Sequence, residues 1–114
     1  MLGSGDLVDL DLGLPEGREA GFLHPAVVIT AQRVLDASPS VVHVVPLTTA
    51  LRRFGSEVSV LPDPENGLTT ESAAQCQHIR AVSTARVRAS RGNVGAVVTA
   101  QIRETIAVLL DLPT

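Results

Sequence analysis

The chain is predicted to fold as a mainly β protein, a small β-barrel with one α-helix packed on it. Three observations predict that class. Short apolar or alternating runs recur along the chain, turn-forming residues separate them at close intervals, and the last segment repeats its apolar residues at helical spacing. With 114 residues the chain makes one domain, 1–114, with one modest core. Apolar residues are 45% of the composition and aromatics only 2%, so Val, Leu, Ile and Ala must fill that core, as suits a compact barrel or sheet.

Leu7 to Leu12 alternates apolar and acidic residues, which predicts a half-buried strand with Val8, Leu10 and Leu12 inward. Gly13 to Gly21, with Pro15 and Gly17, is expected to be a mobile loop. Ala26 to Thr30 is apolar up to its last residue, as in a strand covered on both faces, and Val41 to Leu47 repeats that character after a polar stretch around Pro39. Glu57 to Val60 alternates again, and Pro62 to Gly67 is dense in turn residues. A further strand is expected from Ser72 to Gln77, continuing through a kink into Ile79 to Val82. A helical turn over Thr84 to Ala89 and a short strand near Asn93 to Val97 follow. Thr99 is the expected N-cap of a final helix whose stripe is Ile102, Ile106, Leu109 and Leu110, with Pro113 ending it.

The formal charge is −3, from 12 acidic and 9 basic residues, and every basic residue is arginine. That balance argues against non-specific binding of long nucleic acid, which phosphate neutralisation drives. The distribution is uneven: acids gather between Asp6 and Glu19 and between Asp63 and Glu71, whereas Arg80, Arg86, Arg88 and Arg91 cluster and Arg52-Arg53 form a doublet. A local basic face on an acidic protein is compatible with this pattern. The single cysteine, Cys76, excludes an intramolecular disulfide framework and reads as a buried, inert thiol in a reducing compartment. Neither a signal-peptide pattern nor an apolar run long enough to cross a bilayer is present, and the expected location is the cytoplasm. His24, His43 and His78 are scattered and make no metal-ligand set, so no cofactor is expected.

Two segments carry the chemistry. One is Gly5-Asp6-Leu7-Val8-Asp9-Leu10-Asp11, followed by Gly17-Arg18-Glu19 and His24-Pro25-Ala26-Val27-Val28-Ile29-Thr30. The other is Val44-Val45-Pro46-Leu47-Thr48-Thr49. Together they place a charged loop between two apolar strands, facing a hydroxyl pair at the end of a third. In that order and spacing, and on through Gln77-His78-Ile79-Arg80-Ala81-Val82 to the last helix, the chain resembles the MazF/PemK family of toxin endoribonucleases.

The resemblance implies an SH3-like β-barrel of the CcdB/Kid/MazF type. It also implies a sequence-selective, metal-independent endoribonuclease that inhibits growth as the toxin of a type II toxin–antitoxin pair. Such an enzyme needs a base for the substrate 2′-hydroxyl, an acid for the leaving 5′-oxygen and donors for the phosphorane charge, leaving a 2′,3′-cyclic phosphate and a 5′-hydroxyl. The implied partners are single-stranded RNA, a second copy of the chain, and a MazE-like antitoxin whose acidic disordered tail occupies the RNA grooves. No membrane partner is implied.

In the family an arginine before the proline and the first threonine of Val-Pro-x-Thr form the catalytic pair. Thr48 matches the threonine, but His24 stands in the arginine's place. Histidine exchanges a proton near neutrality where arginine holds a fixed, forked charge, so His24 keeps acid–base function and gives up charge stabilisation. Arg18, Arg52 and Arg53 are the candidates to restore it. Glu19 matches the family's loop glutamate, Thr49 extends the hydroxyl pair, and Arg80 matches an arginine placed to touch RNA or a structural carboxylate. Gln77 and His78 occupy the family's Asp-Gln, with His78 expected at the surface or at a subunit contact. His43 is expected in the core or at an interface.

Phe22 and Phe54 are the only aromatics available for stacking on bases, so selectivity rests on backbone and Arg, Gln or Asn hydrogen bonds. A different class of function is also open. CcdB toxins share the fold and poison gyrase by binding it, through an aromatic-containing C-terminus. This chain ends Leu110-Asp111-Leu112-Pro113-Thr114 without one. A catalytically silent relative that acts as an antitoxin sink is the third reading.

Overall fold

A computed structural model describes residues 1–13 and 23–113. Its elements, in chain order, are β1 (Asp6–Asp11), β2 (Leu23–Val28), α1 (Gln32–Leu35), β3 (Val41–Thr48), β4 (Glu57–Val60), β5 (Ser72–Gln75), β6 (Arg80–Ser83), β7 (Val87–Asn93) and α2 (Gly95–Leu109). One antiparallel sheet of seven strands runs β4-β5-β3-β2-β1-β7, with β6 also on β3. β3 is the hinge of the arrangement: Val41–Val44 pair with β6 and Leu47–Thr48 with β5, both along the edge opposite β2. The sheet curls as a barrel does, yet β6 and β7 do not pair among the described residues, so it stays open.

Each face of the curled sheet carries its own core. One gathers Leu7, Val27, Val45, Leu47, Ala74 and Cys76 beneath Ile102 and Ile106 of α2. The other gathers Val8, Leu10, Ala26, Val28, Val42, Val44 and Val82 beneath Leu35 of α1. Strand periodicity explains the division, because alternate residues of β1, β2 and β3 point to opposite faces. Both faces being covered, Leu7 is as buried as Val8, and β1 is not the half-exposed strand that its acidic alternation predicts. The aliphatic composition fills both cores, and Phe54 is exposed.

The strand expected over residues 72–82 is broken where the kink was expected, by a 3-10 turn at Cys76–His78. A second 3-10 turn occupies Thr84–Arg86, within the helical turn expected there. Three expectations need correction. The strand near Asn93 is β7, which ends at Asn93 rather than starting there, because Val87 to Asn93 pair with β1. Thr99 does not cap α2. The side-chain oxygen of Asn93 accepts the Gly95 N–H at 2.8 Å at the helix entrance, while the buried Thr99 hydroxyl donates back to the Gly95 carbonyl at 2.7 Å. The helix stripe is shorter than its pattern, since Ile102 and Ile106 are buried but Leu109 and Leu110 are 46% and 56% exposed beyond the sheet. α1 falls in the segment that reads only as a polar stretch. His43, expected in the core or at an interface, is exposed in this chain at the end of β3 that α2 does not reach.

The turn expected at Pro62 to Gly67 is organised by the buried Asn66. Its side-chain oxygen accepts from the Asp63 and Leu68 N–H groups, and its amide donates to the Leu61 carbonyl at 2.8 Å. β7 rests directly on this turn through a 2.8 Å bond from the Asn93 N–H to the Glu65 carbonyl. Gly92 makes the approach possible: with φ +152, a β-carbon there would lie 2.1 Å from the Glu65 carbonyl oxygen. Gly92→Ala is expected to destabilise the fold by about 3 kcal/mol, measured as a lower denaturation midpoint against wild type.

On the outer side, Arg91 pairs with Asp9 at 3.1 Å and Arg88 with Asp11 at 3.0 Å, tying β7 to β1. The Gly13 N–H, and after it Arg88, hold the Asp11 carboxyl below its ordinary value of 3.8. A lowered carboxyl stabilises the fold above its unfolded value and ceases to do so as pH falls through its folded one. Asp11→Asn is therefore expected to flatten the part of the stability–pH curve below 3.8 and to leave its slope at neutral pH unchanged.

Candidate active site

The site lies on the sheet face turned away from α2, where cross-strand register lines up side chains from neighbouring strands. β4, β5 and β3 place Ser59, Ala73 and Thr48 in one row. β1 and β2 pair Leu10 with His24. The β2–β3 register joins Ala26 to Pro46 and, carried two residues further, sets His24 opposite Thr48 in that same row. Paired residues share a face, so the two side chains rise from one wall. Neither Pro25 nor Pro46 has an N–H to give a ladder, and the β2–β3 ladder stops at Ala26 and Pro46, leaving His24 and Thr48 just past its last rung. The His-Pro and Val-Pro steps thus open the sheet where chemistry needs room.

A cleft of about 430 Å³ occupies this opening. Leu10, Leu12, Val44 and Pro46 form its apolar base, and His24, Gln75, His78 and Arg80 supply its polar groups. That size is within the range of small-ligand sites. His24 and Thr48 are half-buried, and His78 and Arg80 are exposed. Thr48 also stiffens the loop beyond β3, its hydroxyl oxygen accepting the Ala50 N–H at 3.0 Å.

The remaining expected site residues are spread differently. Arg18 and Glu19 lie outside the described residues. Thr49 is exposed on the loop after β3. Arg52 and Arg53 stand on that same loop and face glutamates, Arg52 lying 4.0 Å from Glu57 and Arg53 3.5 Å from Glu71. Among the described residues Arg80 makes no ion pair, so it is the arginine whose charge faces the cleft unopposed.

Sequence reasoning passes over Gln75 and Glu57. They are cross-strand partners. One oxygen of Glu57, whose side chain is 1% exposed, accepts from Gln75 at 3.4 Å and from Gln77 at 3.0 Å, while the other is buried without a hydrogen bond. A carboxylate only accepts, so Gln75 turns an N–H toward Glu57 and is held at the cleft edge. The alternation of Ser72 and Ala74 against Ala73 and Gln75 is the sequence signal that places Gln75 on the cleft side.

Burial pushes the Cys76 thiol up to about 11, with the Glu57 charge adding to the effect, so it is no nucleophile at neutral pH. Among the described residues no three His, Cys, Asp or Glu side chains gather to hold a metal ion. No helix among them is long and apolar enough to cross a membrane.

Comparison with known proteins bears on the family and the fold. The profile of a family described as PemK-like, MazF-like toxin of type II toxin-antitoxin system matches residues 4–110. The endoribonuclease MazF9 of Mycobacterium tuberculosis (strain ATCC 25618 / H37Rv) is 30% identical over 116 aligned positions that span 98% of each chain. In a MazE-MazF crystal structure from Deinococcus radiodurans one chain superposes with a TM-score of 0.78 at 23% identity, over 96% of each chain. An endoribonuclease in complex with its cognate antitoxin, from a mycobacterial species, superposes with a TM-score of 0.74 at 21% identity, over 96% of this chain and 95% of that one. The match over nearly its whole length, joined to the fold, shows that this chain belongs to the PemK-like, MazF-like family of type II toxins.

Proposed function

We propose that the protein is the toxin of a type II toxin–antitoxin pair and a sequence-selective endoribonuclease that cuts single-stranded RNA without a metal ion. The observation that carries this reading is that His24 and Thr48 share one row of the sheet, with His24 lining a cleft beside Gln75, His78 and Arg80. The substrate's 2′-hydroxyl attacks the adjacent phosphorus and the 5′-oxygen leaves, giving a 2′,3′-cyclic phosphate and a 5′-hydroxyl. His24 exchanges the proton that this displacement requires, and the Thr48 hydroxyl donates to a non-bridging phosphoryl oxygen. Arg80 supplies the positive charge that the family's arginine brings at position 24. Thr49, Arg52 and Arg53, on the loop after β3, border the path of the RNA strand, and Arg18 and Glu19 remain candidates from the sequence alone.

The whole chain acts as one MazF-like domain, pairs with a second copy and works in the cytoplasm. Its antitoxin is a MazE-like protein, in keeping with the MazE and antitoxin complexes among its structural relatives. An acidic, disordered tail suits the cleft because it presents carboxylates to Arg80 where RNA presents phosphates.

Mixed-sequence RNA incubated with the protein in EDTA is expected to yield discrete fragments ending in cyclic phosphate. His24→Ala is expected to slow this cleavage by about 100-fold or more and Thr48→Ala by about tenfold or more, with both variants folded by circular dichroism. Intact RNA with the wild-type protein, or wild-type turnover in the His24 variant, would sink the assignment.

A further inference from the structure

The cleft holds a second imidazole: His78 lines it together with His24. Their placement is complementary. His24 belongs to β2, on one side of β3, whereas His78 ends the 3-10 turn that joins β5 to β6 on the other side. Val44 and Pro46 of β3 form the floor between them. β3 lies between the backbones that carry the two rings, and the cleft over its Val44 and Pro46 leaves room for a phosphodiester between them. Displacement at phosphorus needs this arrangement, because the entering and leaving oxygens lie on opposite sides of the phosphorus and their proton-transfer groups must approach from opposite sides.

From this geometry we infer that His24 and His78 form a general base and general acid pair, a device built on the proposed ribonuclease reading and resting on it. Neutral His24 takes the proton of the 2′-hydroxyl as the bond from that oxygen to phosphorus forms. Protonated His78 gives its proton to the 5′-oxygen as the phosphorus–oxygen bond breaks. The cyclic phosphate and the 5′-hydroxyl depart, and exchange of protons with water restores both rings. Arg80, two residues after His78 and on the same cleft, is the charged group lining it among the described residues; Glu57 stands behind Gln75 and Gln77. Arg80 holds the phosphate while the two rings move protons. His78 is exposed and clear of both cores, so its replacement leaves the packing intact.

The test uses the full chain and an RNA oligonucleotide containing its cleavage site, alongside the same oligonucleotide with sulfur in place of the scissile 5′-oxygen. Thiolate leaves without a proton and has no need of an acid. His78→Gln and His78→Ala are expected to cut normal RNA about 100-fold more slowly and the sulfur-bridged RNA within about threefold of wild type. The wild-type pH–rate profile is expected to be bell-shaped and to lose one limb in each His78 variant. His24→Ala is expected to be slow on both substrates. Full-speed cutting of normal RNA by His78→Gln, or an equal loss on both substrates, overturns this inference and leaves the nuclease reading standing. RNA left intact by the wild-type protein overturns both.

Discussion

Register across the sheet is the constraint on which the rest depends. Ala26–Val28 of β2 and Val44–Val45 of β3 are buried on both faces, so each of these residues has one possible side, and a slip of one position would exchange core and cleft residues. The same apolar packing that locks Val27 and Val45 beneath α2 therefore brings His24 and Thr48 onto one wall. No hydrogen bond between those two residues is needed to align them. The site is a by-product of core packing, opened where two prolines end a ladder.

Much of this was legible in the chain. The existence of β2, β3, β4 and α2 follows from apolar runs and periodicity, but β2 runs Leu23–Val28 rather than Ala26–Thr30 and α2 starts at Gly95, ahead of Thr99. Misreadings arose where tertiary contacts override local pattern. Acidic residues in β1 suggest an exposed face, yet Asp9 and Asp11 are ion-paired with arginines of β7, some eighty positions away in sequence. Thr99 resembles a helix cap, but Asn93 performs that task, and Thr99 lies against Gly5, where a β-carbon would come within 2.6 Å of its hydroxyl. At the site, the family pattern points to His24 and Thr48. Gln75 and Glu57 carry no motif and emerge only once β4 and β5 are paired.

Charge organisation reconciles an acidic protein with an anionic substrate. Arg52, Arg53, Arg88 and Arg91 all face carboxylates of the same chain, so these four of the nine arginines serve the fold and its loops. Among the described arginines without an ion pair, Arg80 is the one that lines the cleft. An acidic protein with one arginine in its cleft gains little from long stretches of nucleic acid, and its recognition must come from contacts within the cleft.

The open barrel has a further consequence, for behaviour at high concentration. Among the described residues β4, β6 and β7 each have only one strand neighbour, and such edges recruit strands from other molecules. Two of them, β4 and β6, are only four residues long. The longer β7 carries Arg88 and Arg91, fixed by β1 carboxylates along its length. Charged side chains along an edge strand disfavour an incoming one, so the same arginines that hold the first and last strands together also guard the edge of β7.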